Sequence, residues 1–314
     1  MSAELFDCRV AFARTLIELA EADPRIVVVV NDSVGSSNLT GFQERFPDRT
    51  INVGIAEQDM IGVSAGLASA GRIPFVSGAA CFLTGRATEQ LKVDVAYSRA
   101  HVTICGQAPG MAYGELGPTH HSLEDLSWLR AMPGMAIVVP ADPVETAAAL
   151  RWAAASDGPA YLRISRLKVP AVFDEGAYAF TPGRGRVVRE GGDVTLLSNG
   201  VLLCQALAAA EELAATDGIQ AQVVSLPCVA PLDEELVLAC AARTRRLVTV
   251  EEALVSGGLG AAVASLVAQH DPVPMRLLGV PDVLAPTGPQ SWLLDHFGLS
   301  APGIARAARE LVTP

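Results

Sequence analysis

Short runs of apolar, β-branched residues alternate with segments of helical periodicity along the chain. Ile26–Val30 reads IVVVV, a continuous apolar run typical of a strand that is covered on both faces. Further strands are predicted at 75–77, 101–105, 136–139, 160–164, 194–197, 219–225, 247–250 and 275–278. Helices are predicted at 9–22, 55–69, 84–98, 123–130, 144–155, 201–215, 259–269 and 301–312. Repeated β-α units of this kind predict an α/β fold in which mainly parallel sheets carry helices on both faces.

A looser segment divides this pattern into two stretches. Residues 167–192 hold two prolines and five glycines, a composition typical of a domain junction. We therefore expect a first domain at residues 1–180 and a second at residues 181–314. The total of 314 residues leaves each domain long enough to bury a core of its own.

Composition and charge argue against several classes of protein. The formal net charge of −11 disfavours nucleic-acid binding, which usually shows basic patches. No apolar run reaches the roughly 18 residues that a membrane span needs, so no membrane partner is expected. The six cysteines are scattered without a CxxC pair and are expected to be reduced thiols. Because no basic segment leads into an apolar stretch at the N-terminus, the chain is expected to be cytoplasmic.

Two segments carry candidate acid-base chemistry. Glu57 lies near the start of an Ala- and Gly-rich predicted helix, where burial would favour a protonated carboxyl group. The alternative is an ordinary helix-start carboxylate that the helix dipole stabilises. His120 and His121 lie in a loop before a helix predicted to start at about Ser122, with Ser122 and Asp125 spaced as a capping box. These histidines could polarise a carbonyl or shuttle protons, or they could be loop residues without a catalytic role.

The glycine-rich segments give weaker signals. GGLG at residues 257–260 precedes a predicted helix and could accept an anion, but close helix packing explains it equally well. The chain contains neither a P-loop nor a GxGxxG segment after a strand. The spacing of the histidines does not predict a zinc site, so no metal is expected to be held by this chain. Local patterns alone leave the chemistry open.

Three segments, taken in order, resemble the C-terminal part of transketolases. They are VNDSVGSSNLTGFQERFPDRTINVGIAEQDM, then GPTHHSLEDLSWLRAMPGMAIVVPAD, then VTVEEALVSGGLGAAVASLV with GVPDV behind it. The resemblance covers nearly the whole chain and is closest to the short chains of split transketolases. Those chains carry only the pyrimidine-binding and C-terminal domains. The resemblance implies a transferase that uses thiamine diphosphate and Mg²⁺ to move a two-carbon ketol unit from a ketose donor to an aldehyde or another acceptor.

The resemblance also implies roles for individual residues. Glu57 matches the family glutamate that hydrogen-bonds the aminopyrimidine ring of thiamine diphosphate, the cofactor that serves as electron sink. His120 matches the histidine that faces the cofactor and the substrate oxygens. Arg166, in RISR, matches the arginine that binds the phosphate of sugar phosphates. Asp32 and Ser36 lie in the segment that resembles the first cofactor-facing loop of the family.

Several positions depart from the family pattern. Ala79 aligns with the phenylalanine that stacks on the aminopyrimidine, while Phe82 keeps the later aromatic ring of that segment. Losing a ring stack forfeits about 1 kcal/mol beyond the lost area. Leu116 replaces an aspartate that reads a hydroxyl of the donor, and Ala108 stands where a histidine is expected. Because unpaired polar groups penalise the wrong substrate, these changes predict a specialised, less hydroxylated or non-phosphorylated substrate.

The chain contains no GDG sequence, which in the family belongs to the GDG…N motif that holds magnesium and the diphosphate. The resemblance therefore implies a cofactor site shared with a separate subunit, an α2β2 complex and a small-molecule sugar substrate. One alternative is another thiamine-diphosphate enzyme, either a 1-deoxy-xylulose-phosphate synthase or the β subunit of a 2-oxo acid dehydrogenase. The other alternative is a non-catalytic scaffold subunit. The GPTH segment and the short chain favour transketolase, and the presence of Glu57 and His120 argues against a scaffold.

Overall fold

The computed structural model describes residues 4–313, in which strands and helices alternate along nearly the whole chain. The first part contains β1 (Phe6–Asp7), α1 (Cys8–Ala22), β2 (Ile26–Val30), α2 (Thr40–Arg45), β3 (Thr50–Asn52), α3 (Glu57–Ser69), β4 (Ile73–Ala79), α4 (Ala80–Arg86), α5 (Thr88–Gln90), β5 (Thr103–Gln107), α6 (Asp125–Arg130), β6 (Ala136–Val138), α7 (Pro143–Ala155), β7 (Ala160–Ile164) and β8 (Lys168–Val169). The second part contains β9 (Arg186–Arg189), β10 (Val194–Ser198), α8 (Leu203–Thr216), β11 (Ala221–Ser225), β12 (Cys228–Ala230), α9 (Glu234–Thr244), β13 (Leu247–Leu254), α10 (Leu259–His270), β14 (Met275–Val280), α11 (Gln290–His296) and α12 (Ala301–Val312). Further helical turns are the 3₁₀ segments Pro47–Arg49, Gly114–Leu116 and Gly200–Leu202 and the π-helix Leu91–Tyr97.

Two large sheets organise these elements. The seven-stranded sheet has the order β12-β6-β7-β5-β4-β2-β3, and its neighbouring strands are parallel except for the pair β12 and β6. The five-stranded sheet has the order β14-β13-β10-β11-β9, with an antiparallel edge strand β9. Strands β1 and β8 form a small antiparallel pair. The predicted α/β class with mainly parallel sheets is confirmed.

The seven-stranded sheet is covered on both faces, which explains the continuous apolar run of β2. Val28 packs with Phe12 of α1 and Leu150 of α7 on one face. Its neighbour Val29 packs with Met60 of α3 on the other face. Successive side chains of a strand point to opposite faces, so a strand between two helical layers needs apolar residues at every position. The five-stranded sheet is built in the same way, with α8 and α12 on one face and α9 and α10 on the other.

Several predicted boundaries are wrong. The helix predicted at 84–98 starts instead at Ala80, directly after β4, and leaves helical geometry at Ala87 with φ −102° and ψ 20°. The chain then continues through α5 into the π-helix, and the buried Ala87 and Leu91 keep contact with the core. The strand predicted at 75–77 begins at Ile73. Pro74 makes the start of this strand difficult to predict, because a residue without an N–H is unusual inside a central strand.

The predicted capping box at Ser122 and Asp125 is also wrong. Helix α6 begins at Asp125, its N-cap Glu124 makes no side-chain cap bond, and the Ser122 hydroxyl has no hydrogen-bond partner within residues 4–313. The Asp125 carboxylate instead bonds the guanidinium of Arg163 in β7. A buried guanidinium requires a paired carboxylate, and this requirement outweighs local helix capping.

One strand crosses the predicted domain boundary. Strand β12 comes from the second part of the chain, yet it pairs with β6 at the edge of the seven-stranded sheet. The division into residues 1–180 and 181–314 stays a prediction. Within residues 4–313, the helices are either too short or too polar to cross a membrane.

The glycine-rich segment 257–260 packs against a buried carboxylate of the chain itself. Glu251 in β13 accepts hydrogen bonds from the backbone N–H groups of Leu259 and Gly260 at 2.6 and 2.7 Å. A Cβ atom at Gly258 would lie 1.8 Å from Glu251 Oε2, so any other residue there would displace this carboxyl group. The first turn of α10 is thereby occupied, which favours close packing over anion binding. Burial raises the pKa of Glu251 to about 7, against the lowering effect of these backbone donors.

This raised pKa predicts a pH-dependent stability. The ordinary pKa of a glutamate is near 4.5, so between about pH 5 and 7 the folded protein keeps a proton that the unfolded chain has released. The free energy of unfolding should therefore fall as the pH rises through this window, by up to about 1.4 kcal/mol per pH unit for this group. We expect Glu251→Gln, which cannot titrate, to flatten the curve of unfolding free energy against pH, measured by urea denaturation from pH 5 to 8.

A remaining slope is expected in this variant, because burial also raises the pKa of Glu145 to about 7. The matched control is Glu44→Gln, which changes an exposed carboxyl group and should leave the slope as it is. An unchanged slope in Glu251→Gln would show that Glu251 is ionised in the folded protein across this range.

Candidate active site

A pocket of about 330 Å³ lies at the carboxyl edge of the seven-stranded sheet, enclosed by segments that follow β2, β3, β4 and β5. Open α/β sheets bind their ligands at this edge, because the loops that leave the strands converge there. Six of the eight site residues predicted from the sequence line this pocket, namely Asp32, Glu57, Ala79, Phe82, Leu116 and His120. The fold thus gathers residues that are far apart along the chain.

The carboxyl group of Glu57 is the buried acid of this pocket. Glu57 is the first residue of α3, and its side chain is 3% exposed. One carboxyl oxygen accepts a hydrogen bond from Asn31 Nδ2 at 3.1 Å, and the other accepts one from Arg86 Nη1 at 3.0 Å. This carboxyl group is buried and also lies at the N-terminal end of a helix, so the choice between the two interpretations stays a prediction.

Aromatic rings form one wall of the pocket. The rings of Phe82 and His120 meet edge to face with centroids 5.2 Å apart, and Tyr113 approaches His120 at 6.2 Å. The Nδ1 atom of His120 lies 2.9 Å from the hydroxyl of Thr119, which leaves Nε2 available to a ligand. Ala79 contributes only a methyl group to the lining beside Phe82. The pocket therefore has one aromatic side and one small, apolar side.

Two polar residues of this pocket are missed by the sequence analysis. Arg86 is about half exposed, pairs with Glu57 and lies with its guanidinium carbon 4.0 Å from the centroid of the Phe82 ring. The spacing of Phe82 and Arg86 is a usable signal, because residues four apart on a helix share a face. Asn31 is buried directly after β2, and its contact with Glu57 spans 26 positions, so no local pattern indicates it.

A second pocket of about 410 Å³ adjoins the first and shares Tyr113 and Leu116 with it. Arg166 lines this second pocket, and its guanidinium carbon lies 5.1 Å from the centroid of the Tyr113 ring. Gln290 lines it from the second part of the chain. Arg166 and His120 are thus neighbours across a shared wall and do not lie in one cavity.

Ser36 and His121 line neither pocket. The Ser36 hydroxyl donates to the carbonyl of Ser33 at 3.1 Å, and its own carbonyl accepts from Arg9 Nη1 at 3.1 Å, so both polar groups serve the loop itself. The predicted contact of Ser36 with a substrate has no geometric support. His121 is 4% exposed, and neither ring nitrogen has a hydrogen-bond partner in the described part of the chain. Burial lowers the pKa of His121, which disfavours a charged imidazole.

The acids of the first pocket differ in exposure. Glu57 is buried, whereas Asp32 is exposed at the rim. Among residues 4–313, no three His, Cys, Asp or Glu side chains are placed together in a way that could hold a metal ion. Glu57 is therefore the group in this pocket that could exchange a proton with a bound ring away from bulk water.

A buried ion pair supports the loop that carries Leu116 and His120. Arg163 in β7 donates to both carboxyl oxygens of Asp125, at 2.7 and 2.9 Å, and both side chains are almost fully buried. Arg163 also donates to the Ser122 carbonyl at 2.8 Å. Burial lowers the pKa of Arg163 and the adjacent Asp125 raises it, with a net upward shift. The end of the loop is therefore tied to a pair of charges inside the fold.

The chain matches known families over most of its length. Residues 5–171 match the transketolase pyrimidine-binding domain, and residues 183–304 match the transketolase C-terminal domain. The chain is 40% identical over 312 residues to a subunit of the apulose-4-phosphate transketolase of Phocaeicola vulgatus, with 99% of each chain covered. It is 42% identical over 304 residues to SqwH, a subunit of the 6-deoxy-6-sulfo-D-fructose transketolase of a Clostridium species, with 96% of this chain and 94% of that one covered. A split-gene transketolase solved as an inactive β4 tetramer has a similar structure, with a TM-score of 0.88, 40% identity and 98% of each chain covered.

The buried ion pair predicts a large effect on stability. Asp125→Asn removes the carboxylate charge that is paired with the buried guanidinium of Arg163. Breaking such a pair from one side costs about 3–5 kcal/mol, so we expect the free energy of unfolding to fall by about that amount in denaturant titrations. The control is Glu235→Ala, which breaks the exposed pair with Arg184 and should change stability little. Equal effects in both variants would contradict the structural role given to Asp125.

Proposed function

The chain belongs to the transketolase family, and we propose that it is one subunit of a two-component enzyme that transfers a two-carbon ketol unit from a ketose donor to an aldehyde or a related acceptor. The observation that carries this proposal is the buried carboxyl group of Glu57, which faces an aromatic wall at the carboxyl edge of a parallel sheet. Relatives of the same length that are named as transketolase subunits support it.

The first pocket fits the aminopyrimidine end of thiamine diphosphate, the cofactor of this family. Such a ring needs a buried acid for its ring nitrogen and apolar surfaces for its faces. Each oxygen of Glu57 accepts one hydrogen bond in the chain and so retains a lone pair. Phe82 and Ala79 offer apolar surface, although Ala79 provides no ring to stack on. When bound, thiamine diphosphate would supply the electron sink that breaking a carbon–carbon bond next to a carbonyl requires.

Glu57 and His120 would carry out the proton transfers of the reaction. Glu57 would donate a proton to the aminopyrimidine nitrogen and take it back, while Asn31 and Arg86 fix the orientation of its carboxyl group. His120 would hold or move a proton at the substrate oxygens through Nε2, since Nδ1 is engaged by Thr119.

Substrate recognition would fall to the second pocket and the wall that it shares with the first. Arg166 would bind an anionic end of the sugar through its guanidinium fork. Leu116 would place an apolar side chain where the family pattern has an aspartate. Asp32 would contact the cofactor from the rim of the first pocket. We therefore expect a specialised sugar, with fewer hydroxyl groups for the enzyme to satisfy.

A separate subunit would complete the site. The sequence has no GDG, so we infer that the diphosphate and Mg²⁺ are held by a partner chain with a GDG…N motif, in an α2β2 complex. Ile55 at the rim of the first pocket is 71% exposed, and Leu116 is 54% exposed. Large apolar side chains exposed at the mouth of a pocket suit a surface that a second protein covers.

Substitution of Glu57 tests the proposed chemistry. In the complex with its partner, we expect Glu57→Gln to lower kcat about 10²–10⁴-fold, because the carboxyl group can no longer exchange a proton with the ring. The measurement is ketose formation from a ketol donor and an aldehyde, with thiamine diphosphate and Mg²⁺ present. Asp59→Asn, an exposed carboxyl group in the same helix turn, is the matched control and should keep full activity. Full activity in Glu57→Gln would favour the scaffold alternative.

Calorimetry tests the shared site directly. We expect thiamine diphosphate with Mg²⁺ to bind to the pair of subunits and not to this chain alone, because one chain offers only the pyrimidine end of the site. Tight binding to this chain alone would contradict the division between subunits. No binding to the pair would mean that Ala79 marks a lost cofactor site.

A comparison of donors tests the synthase alternative. Pyruvate as the preferred donor of the same complex would favour that alternative.

A further inference from the structure

The second pocket is built from two parts of the chain that are in direct contact. Its lining combines the segment after β5, which includes Tyr113 and Leu116, with Pro289 and Gln290 at the start of α11. The N–H of Gly288 donates to the carbonyl of Gly114 at 3.0 Å. A Cβ atom at Gly114 would lie 2.2 Å from the Gly288 carbonyl oxygen, so only glycine permits this approach.

A buried carboxyl group orients the Gln290 side chain. Gln290 Nε2 donates to Glu252 Oε1 at 2.8 Å, and the same oxygen accepts the backbone N–H of Met111 at 2.8 Å. Glu252 lies in β13 and is 6% exposed. Because this Oε1 atom already accepts the N–H of Met111, it acts as an acceptor, so the amide of Gln290 must turn its nitrogen toward Glu252. The amide oxygen is then left for another donor, and no donor within residues 4–313 reaches it.

The free amide oxygen of Gln290 lies at the second pocket. Gln290 is half-buried and lines the second pocket, as Arg166 does. An arginine recognises an anion, and an amide oxygen accepts a hydrogen bond from a neutral hydroxyl group. A sugar that carries an anionic end and a hydroxyl group next to it would satisfy both side chains together.

We propose that Gln290 is a specificity-determining residue, which accepts a hydrogen bond from a substrate hydroxyl adjacent to the anionic end, and that Glu252 is the residue that positions it. This inference rests on the proposed function. It assigns part of substrate recognition to the second part of the chain. It also explains why Glu252 faces the first part, whereas its neighbour Glu251 serves α10.

Two acceptors that differ in one hydroxyl-bearing carbon test the proposal. The subunit pair is assayed with hydroxypyruvate as donor, which transfers its ketol unit and releases CO₂. The acceptors are D-glyceraldehyde 3-phosphate, which has the hydroxyl group, and glycolaldehyde phosphate, which lacks it. We expect Gln290→Met, similar in length and without a hydrogen-bonding oxygen, to lower kcat/KM for the first acceptor roughly three- to tenfold, mainly through KM. The value for the second acceptor should stay within about twofold.

The result that overturns the proposal is an equal loss for both acceptors, or no loss for either. If the wild-type pair transfers no ketol unit to either acceptor, the proposed function itself fails and the inference fails with it. Transfer to glycolaldehyde phosphate by Gln290→Met separates the two cases, because it shows that the chemistry is intact.

Variants of Glu252 test the positioning role. Glu252→Gln keeps a carbonyl oxygen that can accept from both Met111 and Gln290, so we expect it to preserve the preference between the two acceptors. Glu252→Ala removes this oxygen and should bring the ratio of the two kcat/KM values close to that of Gln290→Met. A merely structural role would lower both values together and leave their ratio unchanged. An unchanged ratio in Glu252→Ala would overturn the assignment of Glu252.

Discussion

The buried ion pair between Arg163 and Asp125 is the constraint on which both pockets depend. The segment from Ala108 to Ser122 has little regular structure, yet it must hold the side chains of Leu116 and His120 in fixed places. Taking two charges out of water costs several kcal/mol for each ion and is repaid only with good geometry and further hydrogen bonds. The guanidinium group has these bonds, because it binds both carboxyl oxygens and two backbone carbonyls. These hydrogen bonds offset the desolvation cost and hold the end of the loop in one position.

Strand β13 extends this constraint to the second part of the chain. Its neighbouring residues Glu251 and Glu252 point to opposite faces, as successive residues of a strand do. Glu251 closes the first turn of α10, and Glu252 reaches across to Met111 and Gln290. Burial raises the pKa of both carboxyl groups, so each is retained at a cost in stability. The proposed role of Glu252 in shaping the substrate pocket gives a functional reason for this cost.

Much of the fold follows from local pattern, and much of the site does not. The strand at 160–164 and the helix at 301–312 have the predicted bounds. All five positions of the strand are buried, and the buried residues of the helix recur at helical spacing, so a sequence pattern marks each element. The strands Thr50–Asn52 and Cys228–Ala230 are too short to show a period. The family resemblance is confirmed by the matches over residues 5–171 and 183–304. Asn31 and Gln290 escape sequence reasoning because their contacts, with Glu57 and Glu252, join residues 26 and 38 positions apart.

The ion pair between Arg86 and Glu57 bears on whether the first pocket can accept a ring. The Arg86 side chain is 49% exposed, and its guanidinium also covers the Phe82 ring that would face a bound pyrimidine. The cation–π contact of a half-exposed guanidinium contributes about 1 kcal/mol or less. Micromolar binding corresponds to roughly 8 kcal/mol. Moving Arg86 aside from Phe82 therefore costs little compared with the binding of a cofactor, and its bond to Glu57 leaves the second lone pair of that oxygen free. Arg86 thus orients the acid without closing the pocket.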